Sequence, residues 1–334
     1  MSEVDWAALP KAELHLHLEG AAPPAFVRGL AQEKSIRLDG VFDERGRYEY
    51  KDFAGFLRCY EAACTVLQSP EDYARLTAAV MEECAASGVI YAETFLAPQL
   101  CCDGDPIAWR DYSDAIREAA LASEARGGPA LRGIVTTVRH FGPDSARAVA
   151  RCAAETAGDH GGAWITGFGM GGDERMGRQQ DFAWAYDCAR EAGLGLTTHA
   201  GEWCGPQEVR DALTLGVSRI GHGIRAAEDP ALMEHLAERG IVLEVCPGSN
   251  LALGAAPSMA AHPLPKLREA GVPVTVSTDD PPFFGTTMTA EWEALERAYG
   301  WGPEDLAALN RTAMEAAFCD AATRAAILAR MEPA

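Results

Sequence analysis

Pro10-Lys11-Ala12-Glu13-Leu14-His15-Leu16-His17-Leu18-Glu19-Gly20 organises the reading of the whole chain. Side chains alternate along a strand, so Lys11, Glu13, His15 and His17 are expected on one face and Ala12, Leu14, Leu16 and Leu18 on the other. The aliphatic row needs a core. The two imidazoles then stand roughly 6.6 Å apart at Cα, close enough to lean onto one ion at about 2.0 Å. An isolated H-x-H carries little weight, and its meaning depends on the remainder of the chain.

Beyond residue 88 the chain settles into a rhythm of short β-branched runs alternating with alanine-rich helical windows. The runs are 89–96, 131–138, 164–170, 194–199, 219–222, 241–246 and 273–278, which with the first strand predict eight. The windows 110–126, 144–157, 178–192, 206–215, 229–239 and 261–270 are long enough to be crossover helices. Extra helices are expected after the first strand. One starts at Pro23-Pro24, one is capped by Asp52 and carries Phe53, Phe56, Leu57 and Tyr60, and one starts at Ser69-Pro70. A helical tail covers 288–331. The pattern predicts an α/β chain folded as a single (β/α)₈ TIM-like barrel over 1–334, with residues 39–68 inserted as a helical lid. The competing open doubly wound sheet would want a glycine-rich phosphate turn after its first strand, and none is present.

Composition bounds the partners. The 334 residues include 29 Lys and Arg against 49 Asp and Glu, a net charge of −20 that repels phosphate backbones and anionic lipid headgroups. Nucleic acid and membrane surfaces are therefore poor partners, while a homo-oligomer is compatible with the sequence. No run approaches the roughly 18 apolar residues of a membrane span. Residues 1–9 are acidic and lack an apolar core, which predicts no secretory signal. The ten cysteines show no C-x-x-C spacing, so reduced thiols and a cytoplasmic address are expected.

In such a barrel the chemistry sits where strands end. Strand one ends in His15 and His17, strand five in His199, strand six in Gly221-His222-Gly223 and strand eight in Asp279-Asp280. Strand two carries Glu93, strand three ends in Arg139-His140, and strand four ends in Gly169-Met170-Gly171-Gly172, which admits a ligand close to the backbone. His160, His235 and His262 fall outside the strand exits and are read as surface residues. Three neutral imidazoles and a carboxylate, namely His15, His17, His199 and Asp279, would suit a divalent ion with one position left for water. Asp280 beside Asp279 is costly unless a cation lies between them or one carboxyl is protonated. Glu202, three residues after His199, is placed to give a proton.

These pieces resemble the adenosine deaminase family of zinc aminohydrolases. The matching residues are the 10–21 stretch, Gly172-Asp173-Glu174, His199-Ala200-Gly201-Glu202, Arg219-Ile220-Gly221-His222-Gly223, Cys246-Pro247 with Ser249-Asn250, and Ser277-Thr278-Asp279-Asp280-Pro281. The resemblance implies one Zn²⁺ per chain on His15, His17, His199 and Asp279, with a bound water whose pKa falls toward about 7. It implies that Glu202 protonates N1 of a purine and that Asp279 and His222 orient the attacking oxygen and take up its proton. Asp280 would hold N7 and the Gly172 amide N3. Glu19 and His17 would complete the purine site, and the aromatic helix would exclude water over it.

Glu19 stands where many adenosine-specific members have Asp, and Glu is common in the adenine-deaminating branch. Thr278 and Thr286-Thr287-Met288 are closer to the nucleoside branch. The expected substrates are adenosine and 2′-deoxyadenosine, with adenine or another 6-aminopurine as the alternative. Two-metal amidohydrolases usually carry a bridging lysine on strand four, which is lacking here. A non-catalytic zinc or purine binder would not need both Glu202 and His222. His17-Leu18-Glu19 mimics the H-x-E of small cytidine-type deaminases, but no P-C-x-x-C occurs after it.

Overall fold

In the computed structural model, which describes residues 4–331, β1 (Lys11–His17) pairs in parallel with β2 (Val89–Leu96). The ends of the expected single domain, residues 1–3 and 332–334, lie outside the described residues. The register of β1 slips between Glu13 and Leu16. Leu14 N and His15 N both donate to the Ser277 hydroxyl, at 3.3 and 3.2 Å. Two successive amides on one acceptor interrupt the ladder as a bulge does, and the simple parity expected from alternation changes there. Ala12 and Leu14 pack with Tyr91, Ala130 and Met314, whereas Glu13 shares a cleft with Leu16, Val80 and Thr286. His15 and His17 remain neighbours, their ring centroids 5.5 Å apart.

The sheet continues through β3 (Ala130–Val138), β4 (Ile165–Gly171) and β5 (Gly195–Leu196), all parallel and in sequence order. A second ladder runs through β6 (His199–Ala200), β7 (Arg219–His222), β8 (Val242–Val245) and β9 (Val274–Val276). β5 and β6 are halves of one expected strand. Thr197 N donates to Phe168 O at 3.0 Å, then Gly221 N donates to Thr198 O at 2.8 Å, so the strand changes neighbour between two adjacent threonines. At the other seam His17 N donates to Asp279 O and Asp279 N to His15 O, both at 3.0 Å. The two ladders thereby close into an eight-stranded parallel α/β barrel, and the open-sheet alternative falls.

Local chemistry sets the helices where the sequence signals them. Helices span Pro24–Lys34, Phe53–Cys64 and Pro70–Ala86 between β1 and β2. The Asp52 carboxylate accepts from Gly55 N at 2.7 Å, the Ser69 hydroxyl from Asp72 N at 3.2 Å, and Asp229 from Leu232 N at 3.1 Å. Each such cap stabilises its helix by about 1 kcal/mol. The tail forms three helices, Met288–Tyr299, Pro303–Ala316 and Ala321–Met331. Ala313, Met314 and Ile327 of the last two join the cluster containing Ala12 and Leu14.

The strand interiors bury charged groups as well as apolar ones. Arg219 is fully buried, with Nη1 2.6 Å from Glu93 Oε2 and Nε 2.6 Å from Glu244 Oε1. Glu93 also accepts from Phe318 N at 2.6 Å and Tyr91 Oη at 2.7 Å. Glu93 is thus an internal counter-ion, away from the strand exits where the sequence placed it. A buried charge without such partners would cost several kcal/mol.

Candidate active site

Four donors from distant parts of the chain meet where β1, β6 and β9 end. His15 and His17 close β1, His199 opens β6, and Asp279 comes just after β9. Their ligand atoms lie within 4.8 Å of one another. Asp279 Oδ1 is 3.3 Å from His15 Nε2 and 3.2 Å from His17 Nε2, and the Nε2 atoms of His17 and His199 are 3.2 Å apart. Four donors about 2.0–2.1 Å from a common centre stand about 3.3 Å apart along a tetrahedral edge, so the spacing suits a small divalent ion. His15 Nε2 is buried without a hydrogen-bond partner, because the ring's Nδ1 is already 2.8 Å from Glu244 Oε2. That orphaned nitrogen is what a metal ligand looks like when its other nitrogen is held by a carboxylate. A second grouping, His222, Cys246 and Asp279, also lies within 4.8 Å but offers only three donors.

Backbone strain marks the same place. Asp279 (φ 68°) and His222 (φ 59°) both adopt the left-handed region, uncommon outside glycine. Gly221 precedes His222 because a Cβ there would sit 2.6 Å from His15 Cε1. Gly20 is required for a similar reason, since its Cβ would fall 1.5 Å from Asp280 Oδ1.

Next to the cluster are two carboxyl groups. Glu202 Oε1 and Asp280 Oδ1 are buried, lack hydrogen-bond partners, and belong to residues lining one cavity with His17, Glu19, His199 and Asp279. Burial, then the Asp279 and Glu174 charges, pushes the Glu202 carboxyl well above the usual glutamate range. Burial, then the Asp279, Glu202 and Glu19 charges, does the same to Asp280. Both are therefore acids able to donate. Burial works to raise the Asp279 carboxyl, but the His15 and His17 rings beside its Oδ1 outweigh it and hold it well below its usual range. Ser249 Oγ donates to its Oδ2 at 2.7 Å.

Glu202 is positioned by its loop. The Glu174 carboxylate accepts from Gly201 N, from Trp203 N at 2.7 Å and from Cys204 N at 3.0 Å, clamping the turn on both sides of Glu202. His222 Nε2 is 3.9 Å from Glu202 Oε2 and 3.8 Å from Asp279 Oδ2. Glu19 is buried and accepts from Tyr73 Oη at 3.2 Å, and burial raises its pKa to about 7. Gly172 (φ 97°) lines the cavity at the end of β4. Phe53, Phe56, Leu57 and Tyr60 wall it from the helix Phe53–Cys64. That helix rests on the loops carrying the acids, with Phe53 5.4 Å from Trp203 and Phe56 5.5 Å from Phe283 between ring centroids.

The structure thus brings together His15, His17, Glu19, Gly172, His199, Glu202, His222, Asp279 and Asp280. Arg139 is elsewhere, donating to the Met176 and Gly177 carbonyls and to Glu208 at 2.8–3.1 Å. His140 reaches Glu61 of the aromatic helix at 3.3 Å. His262, read as a surface residue, is instead buried and bonded to Asn250 at 3.1 Å. Glu244 was missed, although a lone carboxylate within Val242-Leu243-Glu244-Val245 was its signal.

Comparison with known proteins bears on the same residues. Residues 10–334 match the family model described as adenosine deaminase. The chain is 50% identical over 327 residues to an adenine deaminase of Rhizobium rhizogenes, covering 97% of this chain and 99% of the relative. An adenine deaminase structure from Arthrobacter aurescens superposes with a TM-score of 0.87 at 33% identity, covering 97% of this chain and 98% of that one. An amidohydrolase structure from Burkholderia ambifaria with bound Zn gives 0.86 at 27% identity, covering 99% and 93%. The expectation of adenosine and 2′-deoxyadenosine as substrates is overturned by the full-length relatives named adenine deaminase. Glu19 had pointed toward that adenine alternative, whereas Thr278, Thr286 and Thr287, which had pointed toward nucleosides, lie outside the cavity lining. The chain belongs to the adenosine deaminase family and is a hydrolytic deaminase of the amidohydrolase type.

Proposed function

We propose that the protein hydrolyses the 6-amino group of adenine, giving hypoxanthine and ammonia. The observation that carries this reading is full-length similarity, at 42–50% identity, to relatives named adenine deaminase. The cavity chemistry supports it, because two buried protonated carboxyls without partners are what a flat heterocycle rich in ring nitrogens can satisfy.

His15, His17, His199 and Asp279 would hold one Zn²⁺ per chain. When bound, that ion supplies a nucleophilic water at neutral pH. Glu202 gives its proton to N1 of the purine, which interrupts the aromatic ring and makes C6 electrophilic. Asp280 donates to N7, and the Gly172 amide serves N3, so the base is held edge-on. Glu19, about half protonated near neutral pH with its pKa of about 7, closes the far side of the base. The aromatic helix, within the 39–68 insertion, acts as a lid that excludes bulk water.

The test is ammonia release from adenine, adenosine and 2′-deoxyadenosine under matched conditions. Preferential turnover of adenine supports the proposal, and preferential turnover of either nucleoside overturns it.

A further inference from the structure

His222 faces the reactive cluster with Nε2, and its other nitrogen begins a line of buried hydrogen bonds leading away from it. His222 Nδ1 lies 3.2 Å from Asn250 Nδ2, and Asn250 Oδ1 lies 3.1 Å from His262 Nε2. Leu264 N then donates to His262 Nδ1 at 3.1 Å. Asn250 is on the short helix Pro247–Ala252, and His262 precedes the helix Leu264–Glu269. All three side chains belong to buried residues.

The direction of every bond is set by the last one. A backbone N–H can only donate, so His262 Nδ1 is an acceptor. Burial lowers the His262 pKa to about 4, leaving one ring proton near neutrality, and it must sit on Nε2. That proton needs an acceptor, which fixes Asn250 with its oxygen toward His262 and its NH₂ toward His222. Turning the amide over would set two donors face to face at the His262 end. His222 Nδ1 therefore accepts, and the His222 proton is on Nε2, aimed toward Asp279 and Glu202.

We propose that Asn250 and His262 are positioning residues that lock His222 as the Nε2–H tautomer, so that the ring meets the reacting centre as a hydrogen-bond donor. The role differs from the proton acceptor that the family resemblance implies. A donor there favours negative charge on an oxygen adding to C6 of the base. The inference rests on the deaminase reading, but the tautomer itself is measurable without turnover.

The experiment combines multiple-bond ¹⁵N spectra of histidine-labelled enzyme with steady-state kinetics on adenine, the His222 signals being assigned by their loss in His222→Gln. The wild-type spectrum should show His222 with a bare Nδ1 and a protonated Nε2; a protonated Nδ1 overturns the proposal. Asn250→Asp keeps the shape but puts an acceptor opposite Nδ1, so the proton should move to Nδ1. kcat should then fall by roughly 10²–10³, the cost of losing one such donor, with KM and metal content little changed. Wild-type kcat in that variant overturns the positioning role. His262→Leu removes the donor that orients Asn250 and should lower kcat, whereas His262→Gln, which still offers an N–H, should recover most of the loss. Equal kcat in these two variants overturns the relay. Absence of adenine turnover in the wild type would instead defeat the proposed function, with the tautomer still legible in the spectrum.

Discussion

The Glu244 carboxylate is bonded to His15 Nδ1 at 2.8 Å and lies 2.6 Å from Arg219 Nε, so one buried acid ties a candidate metal ligand to the charged interior of the barrel. Its position settles which nitrogen of His15 is left to face the cluster. A carboxylate behind a ligating imidazole also raises the basicity of the nitrogen in front.

Glu244→Gln keeps an acceptor for His15 but removes the charge. Metal affinity, measured by competition against a chelator, should weaken by roughly 10–100-fold. Arg219 retains Glu93 at 2.6 Å, so the variant should still fold. Unchanged affinity would show that Glu244 matters only as a counter-ion to Arg219.

Glu202→Gln removes the proton and little else, because the Glu174 clamp binds the backbone on either side of position 202. Metal content should be retained while kcat on adenine drops by about 10²–10⁴, the usual worth of a general acid. Turnover near wild type would take Glu202 out of the mechanism.

Much of this centre could be read from the sequence, because strand ends are where polar residues interrupt apolar runs. His15, His17, His199, His222 and Asp279 stand out for that reason. The supporting residues were harder to see. Asn250 and His262 lie twelve positions apart on a short helix and a loop, and no local periodicity records that they meet. The β1 bulge escaped notice because it depends on the Ser277 hydroxyl, more than 260 residues away. Glu93 looked like a rim residue because its strand gives no hint of the Arg219 opposite.

Gly20→Ala tests how tightly Asp280 is placed. The added methyl would fall 1.5 Å from Asp280 Oδ1 and 2.9 Å from Tyr60 Cε2, so the carboxyl must swing away from its place at the cavity wall. Metal content should stay near wild type, since the four candidate ligands are not what the methyl meets. KM for adenine should rise and kcat fall, and unaltered kinetics would show that Asp280 does not hold the base where proposed.

Glu291 provides a test of stability apart from the reaction. It is buried, accepting from Thr286 Oγ1 at 2.6 Å and Gly248 N at 3.0 Å, and burial raises its pKa to about 7. Below about pH 4.5 both folded and unfolded chains hold this proton, so folding is indifferent to it. As pH rises toward 7 the unfolded chain gives the proton up while the folded chain keeps it, and the folded state loses ground, by on the order of 3 kcal/mol once both are ionised. Glu13 and Glu19, also raised to about 7 by burial, act in the same direction. Comparing Glu291→Gln with wild type at each pH cancels their shared effect. The glutamine can accept from either Gly248 N or Thr286, so the site keeps an acceptor without a titrating proton. In urea unfolding at equal metal loading, the variant should therefore gain stability relative to wild type between pH 5 and pH 8. A difference that stays constant across that range would mean that Glu291 ionises in the folded chain as readily as in the unfolded one.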